Sequence, residues 1–149
     1  MNLDFLMTYR ATLKAPVIVG TGPTGMRQIF DVTGGTFEGP KLRGTLLPSG
    51  ADWIQFGADG IGRLDVRATL ATDDGANIYM QYYGIGDFAA AADTLQRGES
   101  FDYGDIYFVT SPRFETGDER YTWLNRLVCV AEGRAGAGWV EYRVYGVTS

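Results

Sequence analysis

The chain has 149 residues, with 13 basic against 18 acidic side chains, no histidine and one cysteine. Its length fits one compact domain, and its formal net charge of −5 argues against a surface for nucleic acid or anionic lipid, since such surfaces attract proteins through basic patches. The lack of histidine excludes Ser-His-Asp and Cys-His catalysis, and a single cysteine excludes an intrachain disulfide or a cysteine-based metal site.

The sequence shows no sign of a secretory signal or a membrane-spanning segment. Residues 1–5 lack a basic region followed by a long apolar run. The longest unbroken apolar stretches, 88–92 and 127–131, are far shorter than the roughly 20 residues that a membrane-spanning helix needs. We therefore expect a cytoplasmic protein with neither a membrane nor a nucleic acid as partner.

Glycine is abundant, with 21 residues spread along the chain, and the segments between the glycines alternate apolar and polar side chains. In the first segment, residues 2–15, apolar side chains occupy the odd positions from Leu3 to Leu13, whereas Asp4 and Arg10 fall on the opposite face. A period of two residues is typical of β-strands. The same pattern predicts strands at residues 26–33, 41–47, 52–57, 63–72, 77–83, 106–110, 123–131 and 139–147.

Two Asp-Gly pairs and one helical segment separate these strands. Asp59-Gly60 and Asp74-Gly75 lie between alternating runs, and this pair tolerates the positive φ of tight hairpins. The three strands between residues 52 and 83 are therefore expected to form an antiparallel meander. Residues 87–98 contain a run of alanines and end on glycine, which predicts a helix of about three turns.

These elements predict one all-β domain that spans residues 1–149. Antiparallel strands in so short a chain must protect their edges, and closure into a barrel does so most completely. We therefore expect a single closed antiparallel β-barrel, lipocalin-like in outline, of about 8–10 strands with one short helix near residues 87–98. A two-sheet sandwich is the alternative architecture.

Residues 20–25 (GTGPTG) match the glycine pattern of dinucleotide-binding loops. That pattern binds a pyrophosphate only where a helix begins at the third glycine. Here the segment that follows, residues 26–32, is short and ends at Thr33-Gly34-Gly35, which leaves no room for a crossover helix and a parallel strand. The motif therefore predicts a mobile hairpin loop and no nucleotide cofactor.

Several blocks of the sequence resemble one known family. They are residues 33–44 (TGGTFEGPKLRG), 50–53 (GADW), 72–76 (TDDGA), 112–118 (PRFETGD) and 121–125 (YTWLN). In this order, and across the chain from the first strand to the last, they resemble the DUF3237 family, also called UPF0311. The resemblance implies a single antiparallel β-barrel whose interior is able to hold a small molecule. It implies little about chemistry, because the family is named for an unknown function.

Asp52 is the candidate for proton transfer, which without histidine falls to Asp, Glu, Tyr or Lys. In a regular strand Asp52 shares a face with Ile54 and Phe56, while Trp53 points the other way as a possible wall for a ligand. A carboxylate on an apolar face has its pKa raised by desolvation, which suits a general acid or base near neutral pH. The alternative, favoured by the usual behaviour of Asp, is that Asp52 caps the turn after Gly50.

Two further pairs are candidates for holding a substrate oxygen. Arg113 and Glu115 share a face directly after Pro112, so that Glu115 would position a guanidinium towards a carboxylate or an enolate. The alternative is an ordinary ion pair at the mouth of the barrel. Trp123 and Asn125 share a face of the predicted strand 123–131 and would orient a ligand, unless they are a core tryptophan beside a structural asparagine.

Asp65 and Tyr79 are the remaining candidates for substrate binding. Asp65 lies between Arg63 and Arg67 on the polar face of its strand, and this row either is solvated or lines a polar interior. Tyr79 is either a phenolic acid or, more simply, part of the wall. Exposure is the simpler expectation for the charged row.

The function predicted from these residues is a cofactor-independent enzyme of the proton-transfer type, an isomerase, cyclase, hydratase or lyase, without a metal. Its partner is a small, hydrophobic, oxygenated molecule, with Asp52 moving the proton and Arg113 and Asn125 holding the oxygen. The alternatives are a non-catalytic carrier or sensor of the same ligands, and a structural barrel with a fully packed interior. The aromatic segment 139–145 (WVEYRVY) further predicts a homo-oligomer.

Overall fold

A computed structural model describes all 149 residues as ten strands and three short helical segments. The α-helix α1 spans Ala92–Gln96, and 3₁₀-helices span Phe88–Ala91 and Glu119–Arg126. The strands are β1 (Asn2–Leu13), β2 (Val17–Gly22), β3 (Gly25–Glu38), β4 (Arg43–Asp52), β5 (Gln55–Phe56), β6 (Gly62–Thr72), β7 (Asn77–Gly86), β8 (Phe108–Glu115), β9 (Val128–Gly136) and β10 (Trp139–Thr148).

Eight of the strands close into an antiparallel barrel in the order β1, β10, β9, β8, β7, β6, β4, β3. The barrel is closed because β1 pairs with β10 along one edge and with β3 along the other. The two remaining strands are additions: β2 extends β3 as a hairpin, and the two-residue β5 bridges β3 and β6. The closed barrel predicted from the sequence is confirmed, and the sandwich is not formed.

The central hairpin of β6 and β7 shows why these residues form strands. Along β6, Leu64, Val66 and Leu70 are buried in the interior, while Arg63 and Arg67 are exposed on the outer wall. The turn at residues 73–75 joins β6 to β7 in antiparallel register. The β6–β7 part of the predicted meander is therefore present, with its alternation set by one apolar and one solvated face, whereas the predicted strand 52–57 is reduced to the end of β4 and the two-residue β5.

The first strand departs from a single apolar face. A register shift between Phe5 and Met7 leaves Leu3 and Phe5 exposed, whereas Leu6 and Met7 are both buried. A bulge of this kind changes the parity of the side chains, so Leu3 and Phe5 do not share the buried face of the later odd positions.

Two other segments differ from the sequence predictions. Residues 87–98 form a 3₁₀ turn followed by the five-residue α1, and no side chain caps either start, so the helix is present but shorter than three turns. The predicted strand 123–131 instead begins as the 3₁₀-helix Glu119–Arg126, whose first turn is capped by the Asp118 carboxylate accepting from the Arg120 N–H. Only from Val128 onward does this segment join the sheet.

The glycine-rich motif forms the tip of the β2–β3 hairpin. Gly22 pairs with Gly25, and the turn lies at residues 23–24, so no helix begins there. Gly25 has a φ of +126°, and a Cβ at this position would lie 2.7 Å from the Phe56 carbonyl oxygen. The hairpin predicted at this motif is therefore present, and its tip packs closely against β5.

Residues 87–107, here called the capping segment, cover one end of the barrel. Their aromatic anchors are Phe88 and Phe101, whose rings lie 4.9 Å and 6.2 Å from the ring of Phe108 on β8. On the outer wall the Tyr103 hydroxyl donates to Glu141 Oε2 at 2.8 Å, and the Arg134 guanidinium donates to the same oxygen. The aromatic cluster holds the capping segment against β8, and this polar contact holds it against β9 and β10.

Two features bear on the expected surroundings of the protein. No helix has the length and apolar character needed to cross a bilayer.

The strand β10, in which the aromatic segment lies, is paired on both sides, so its backbone offers no free edge. The exposed consecutive apolar side chains lie instead at Val17–Val19 on β2, which pairs only with β3. Self-association stays a prediction.

Candidate active site

A cavity of about 400 Å³ occupies the barrel interior and is bounded by Phe88 and Leu95 of the capping segment. Its volume lies within the range of roughly 300–1,000 Å³ that is common for small-molecule sites. Most of the lining is apolar, and the ionisable side chains on its wall are Lys14, Asp52, Tyr82 and Tyr142. A purely structural barrel would have a fully packed interior. The interior of this barrel is not fully packed, because it contains this cavity.

The pairing register brings Asp52 to this wall. Phe30 pairs with Asp52, Asp52 with Val66, and Val66 with Tyr82, so these four residues form one row across β3, β4, β6 and β7. All four side chains line the cavity. The row follows from strand register, because residues paired directly across neighbouring strands project to the same face.

The carboxyl group of Asp52 is held by the backbone of β6 at the point where β4 ends. Its Oδ1 accepts a hydrogen bond from the Asp65 N–H at 3.1 Å, and the Asp65 carbonyl accepts from the Trp53 N–H at 2.9 Å. Asp52 thus bonds across strands, whereas the alternative considered from the sequence was the turn after Gly50. Its Oδ2 has no hydrogen-bond partner within the protein.

The surroundings of Asp52 favour its neutral form. Burial against the apolar wall raises the pKa of this carboxyl from 3.8 to about 7, and the nearby charge of Asp65 acts in the same direction. The hydrogen bond from the Asp65 N–H and the charge of Arg27 oppose the rise but do not cancel it. Near neutral pH both protonation states of the group are therefore accessible, which allows a carboxyl to donate and to accept protons.

Three tyrosines form a buried cluster beside Asp52. The rings of Tyr9 and Tyr142 lie 4.9 Å apart, and those of Tyr82 and Tyr142 lie 5.4 Å apart. Burial is the main cause that raises the pKa of all three phenols, and the charge of Asp52 adds to it. The three hydroxyls therefore stay protonated near neutral pH. The Tyr9 hydroxyl is buried with no hydrogen-bond partner.

The three tyrosines were not among the site residues predicted from the sequence, although the sequence contains a signal for them. Tyr9, Tyr82 and Tyr142 each occupy an inward position of their own strand, which the alternation of their neighbours indicates. Alternation alone does not place three distant strands side by side. The pairing of Tyr9 with Tyr142 across β1 and β10 depends on the closure of the barrel.

Trp53 and Asp65 lie next to Asp52 in the chain or the sheet but not on the cavity wall. Trp53 is half-buried, and the guanidinium of Arg67 lies 5.6 Å from its ring centre. Asp65 alternates with inward Leu64 and Val66, so its side chain belongs to the outer wall, where it is half-buried and not exposed as expected. Its Oδ1 is buried without a partner, and its contribution to the site is the backbone N–H given to Asp52.

Arg113, Glu115 and Tyr79 line a different hollow, of about 600 Å³, on the outside of the barrel. Along β8 the inward positions are Pro112 and Phe114, so Arg113 and Glu115 are exposed on the opposite face. The structure therefore does not bring Arg113 to Asp52, and the expected interior pair of carboxyl and guanidinium is not formed. The parity of β8 is the physical reason.

Asn125 and Trp123 also lie away from the cavity, because their segment is helical. The Asn125 side chain accepts from the Thr116 N–H at 2.8 Å and donates to the Thr116 carbonyl at 2.9 Å. Both polar atoms of its side chain thus join the 3₁₀-helix to the end of β8. Asn125 is therefore the structural asparagine that was the alternative to a ligand-orienting residue. The Trp123 indole N–H donates to the Arg120 carbonyl at 3.2 Å, and the Lys41 ammonium lies 5.2 Å from its ring.

Proteins similar to this chain span nearly its whole length. A UPF0311 protein of Rhodopseudomonas palustris is 33% identical over 148 residues, which are 99% of this chain and 97% of the relative. The crystal structure of a β-barrel-like protein from Acinetobacter baumannii superimposes with a TM-score of 0.83 at 34% identity, and covers 99% of this chain and 96% of that one.

A more distant relative carries a name that describes an activity. It is a hydroalkoxylation enzyme of Penicillium herquei, 27% identical over 126 residues, which are 85% of this chain and 70% of the relative. The crystal structure of an enzyme from the same organism has a TM-score of 0.72 at 25% identity, and covers 97% of this chain and 93% of that one.

The family resemblance seen in the sequence is confirmed by a family model. The model described as a protein of unknown function, DUF3237, matches residues 1–147. Because the match and the full-length relatives span the whole barrel, this chain belongs to the DUF3237 family.

Proposed function

We propose that this barrel is a cofactor-independent enzyme of the proton-transfer type, a cyclase or isomerase or a hydratase or lyase. Its substrate is a small, largely apolar molecule with hydroxyl or carbonyl oxygens that binds in the interior cavity. The observation that carries the proposal is the Asp52 carboxyl, which lies on an apolar wall with a pKa of about 7 and with Oδ2 unpartnered. An acid or base that is half protonated at working pH is best suited to move a proton in both directions.

The chemistry is balanced without any group besides Asp52 and the substrate. A substrate with a hydroxyl group and a carbon–carbon double bond cyclises when neutral Asp52 transfers its proton to one alkene carbon. The hydroxyl oxygen then forms the new C–O bond at the other alkene carbon, and the hydroxyl proton passes to the Asp52 carboxylate. One π bond and one O–H bond break, one C–H and one C–O bond form, and the product is an isomer of the substrate.

The relative from Penicillium herquei supports this class of reaction. Hydroalkoxylation is the addition of an O–H group across a carbon–carbon multiple bond, which needs a proton to be delivered and another to be removed. At 27% identity the relative supports the reaction class and not a particular substrate. The apolar cavity of this chain supports the same class, because water would compete with the substrate hydroxyl for the alkene.

In this proposal the phenols of Tyr82 and Tyr142 hold the substrate oxygen. Both line the cavity, and both remain protonated because burial raises the pKa of each hydroxyl. Where the alkene is conjugated to a carbonyl group, a protonated donor in an apolar site stabilises the negative charge that develops on the carbonyl oxygen. The two tyrosines thus take the role that the sequence analysis gave to Arg113 and Asn125, which lie outside the cavity.

The test uses heavy water to detect proton delivery to carbon. A panel of small apolar alkenols and α,β-unsaturated ketones is incubated with the protein in D₂O, and the products are analysed by chromatography and mass spectrometry. We expect a product with one deuterium bound to carbon, and a turnover that falls about 100- to 10,000-fold in Asp52→Asn. Asp93→Asn, on the exposed side of α1, is the matched control and retains the turnover.

Two results would contradict the proposal. Turnover in Asp52→Asn equal to that of the wild type would remove Asp52 from the mechanism. Tight binding of panel members that are always recovered unchanged and without deuterium would instead assign the barrel to the carriers or sensors.

A further inference from the structure

Lys14 lies at the mouth of the interior cavity, in the connection between β1 and β2. Its backbone N–H donates to the Asp31 carbonyl at 3.0 Å, and the N–H of Leu13 donates to the Gly138 carbonyl at 2.9 Å. These two bonds fix the backbone at this point. Lys14 is exposed and lines the cavity together with Trp139, so this residue lies where the apolar interior meets solvent.

The positive charge of Lys14 has no partner within the protein. Every ion pair of the structure is made by an arginine, and Lys14 takes part in none of them. No other Lys or Arg side chain lines the cavity. In a chain of formal net charge −5, the one cation on the wall of an apolar cavity is free to pair with a ligand.

The positions of Lys14 and Asp52 define the shape of that ligand. The Lys14 N–H bonds to the Asp31 carbonyl on the side of β3 that faces β1. On the opposite side of β3, Phe30, the residue before Asp31, pairs with Asp52 of β4. The two backbones are thus about two strand spacings, or roughly 10 Å, apart. A ligand that reaches both groups has an anionic end at the mouth, an apolar body and a reacting group near Asp52.

We infer that Lys14 is a specificity-determining residue, which selects substrates that carry an anionic group. This inference rests on the proposed function for the reaction, but the selection itself is a binding property and is measurable without turnover. An exposed ion pair contributes little, so the expected selectivity is modest, about 5-fold in Kd at low ionic strength, equivalent to about 1 kcal/mol.

The test compares two fluorescent ligands that differ in one charged group. These are 1-anilinonaphthalene-8-sulfonate and N-phenyl-1-naphthylamine, which has the same aromatic skeleton without the sulfonate. We expect Lys14→Met to weaken binding of the sulfonate about 5-fold at low salt and to leave the neutral ligand unchanged. Lys41→Met, which removes the only other lysine, should change neither, and Lys14→Arg should retain the preference.

The outcomes separate this inference from the proposed function. An equal ratio of the two dissociation constants in the wild type and in Lys14→Met would overturn the role of Lys14, as would failure of the two ligands to compete for one site. The preference should persist in Asp52→Asn, which retains Lys14. If it persists while no turnover is found in D₂O, the proposed reaction falls and the selection of anions by Lys14 stands.

Discussion

The raised pKa of Asp52 makes a prediction about stability that needs no substrate. The carboxyl has a pKa of about 7 in the folded protein against 3.8 for the free group. The folded state therefore binds more protons than the unfolded state between these two pH values, and the free energy of unfolding falls as pH rises through this window. A difference of about 3 pKa units corresponds to about 4 kcal/mol over the whole window.

The composition of the chain makes this effect measurable. Because the chain contains no histidine, Asp52 is the side chain expected to titrate between pH 5 and 8. The Asp118 carboxylate, whose pKa is lowered to about 2 by its hydrogen bonds with Arg120, changes stability only at more acidic pH. Between pH 5 and 8 the contribution of Asp52 alone should fall by about 2.5 kcal/mol.

The assay is urea unfolding of the wild type and Asp52→Asn at several pH values from 5 to 8. We expect the free energy of unfolding of the wild type to fall with pH and that of Asp52→Asn to stay nearly constant. Asparagine retains the Oδ1 that accepts from the Asp65 N–H, so the pH dependence of the two proteins can be compared directly. A wild-type stability that is flat or rises over this range, or an equal fall in Asp52→Asn, would refute the reasoning.

Two further predictions concern packing and association. Tyr9→Phe removes a buried hydroxyl that has no hydrogen-bond partner, so urea unfolding should show this variant to be as stable as the wild type or up to about 1 kcal/mol more stable. Tyr103→Phe loses the hydrogen bond to Glu141 and should be less stable than the wild type. A clear loss of stability in Tyr9→Phe would contradict this prediction. The exposed apolar residues Val17–Val19 on β2 support the prediction of a homo-oligomer. Sedimentation velocity tests this prediction, and a single monomeric species at high protein concentration would contradict it.

Local sequence was sufficient for the features that depend on neighbouring residues. The hairpin of β6 and β7 follows from period-two alternation and the turn at residues 73–75, and the sum of such hairpins made a closed barrel the expected architecture. The same alternation placed Asp52 with Ile54 and Phe56, and all three line the cavity although β4 ends at Asp52. These predictions succeeded because the alternation of side chains is a property of a single strand.

Where a tertiary contact overrides the local pattern, the sequence was misleading. Residues 123–126 were predicted as the start of a strand but belong to the 3₁₀-helix Glu119–Arg126, because the Asp118 carboxylate caps its start and Asn125 bonds to Thr116 in a different segment. Arg113 likewise follows a clean alternation. Its outward direction was decided by the burial of Pro112 and Phe114 in the barrel interior, which depends on the strands on either side.

By itself the sequence determined most of the strands and the closed fold, and it made Asp52 the candidate for proton transfer. Only the tertiary structure decided that Tyr82 and Tyr142 share a cavity with Asp52, that Arg113 does not, and that Lys14 lies at its mouth. The physical reason is that a shared interior is made by pairing register and closure between strands far apart in the chain. The burial that raises the pKa of Asp52 comes from those same distant strands, and no local pattern contains it.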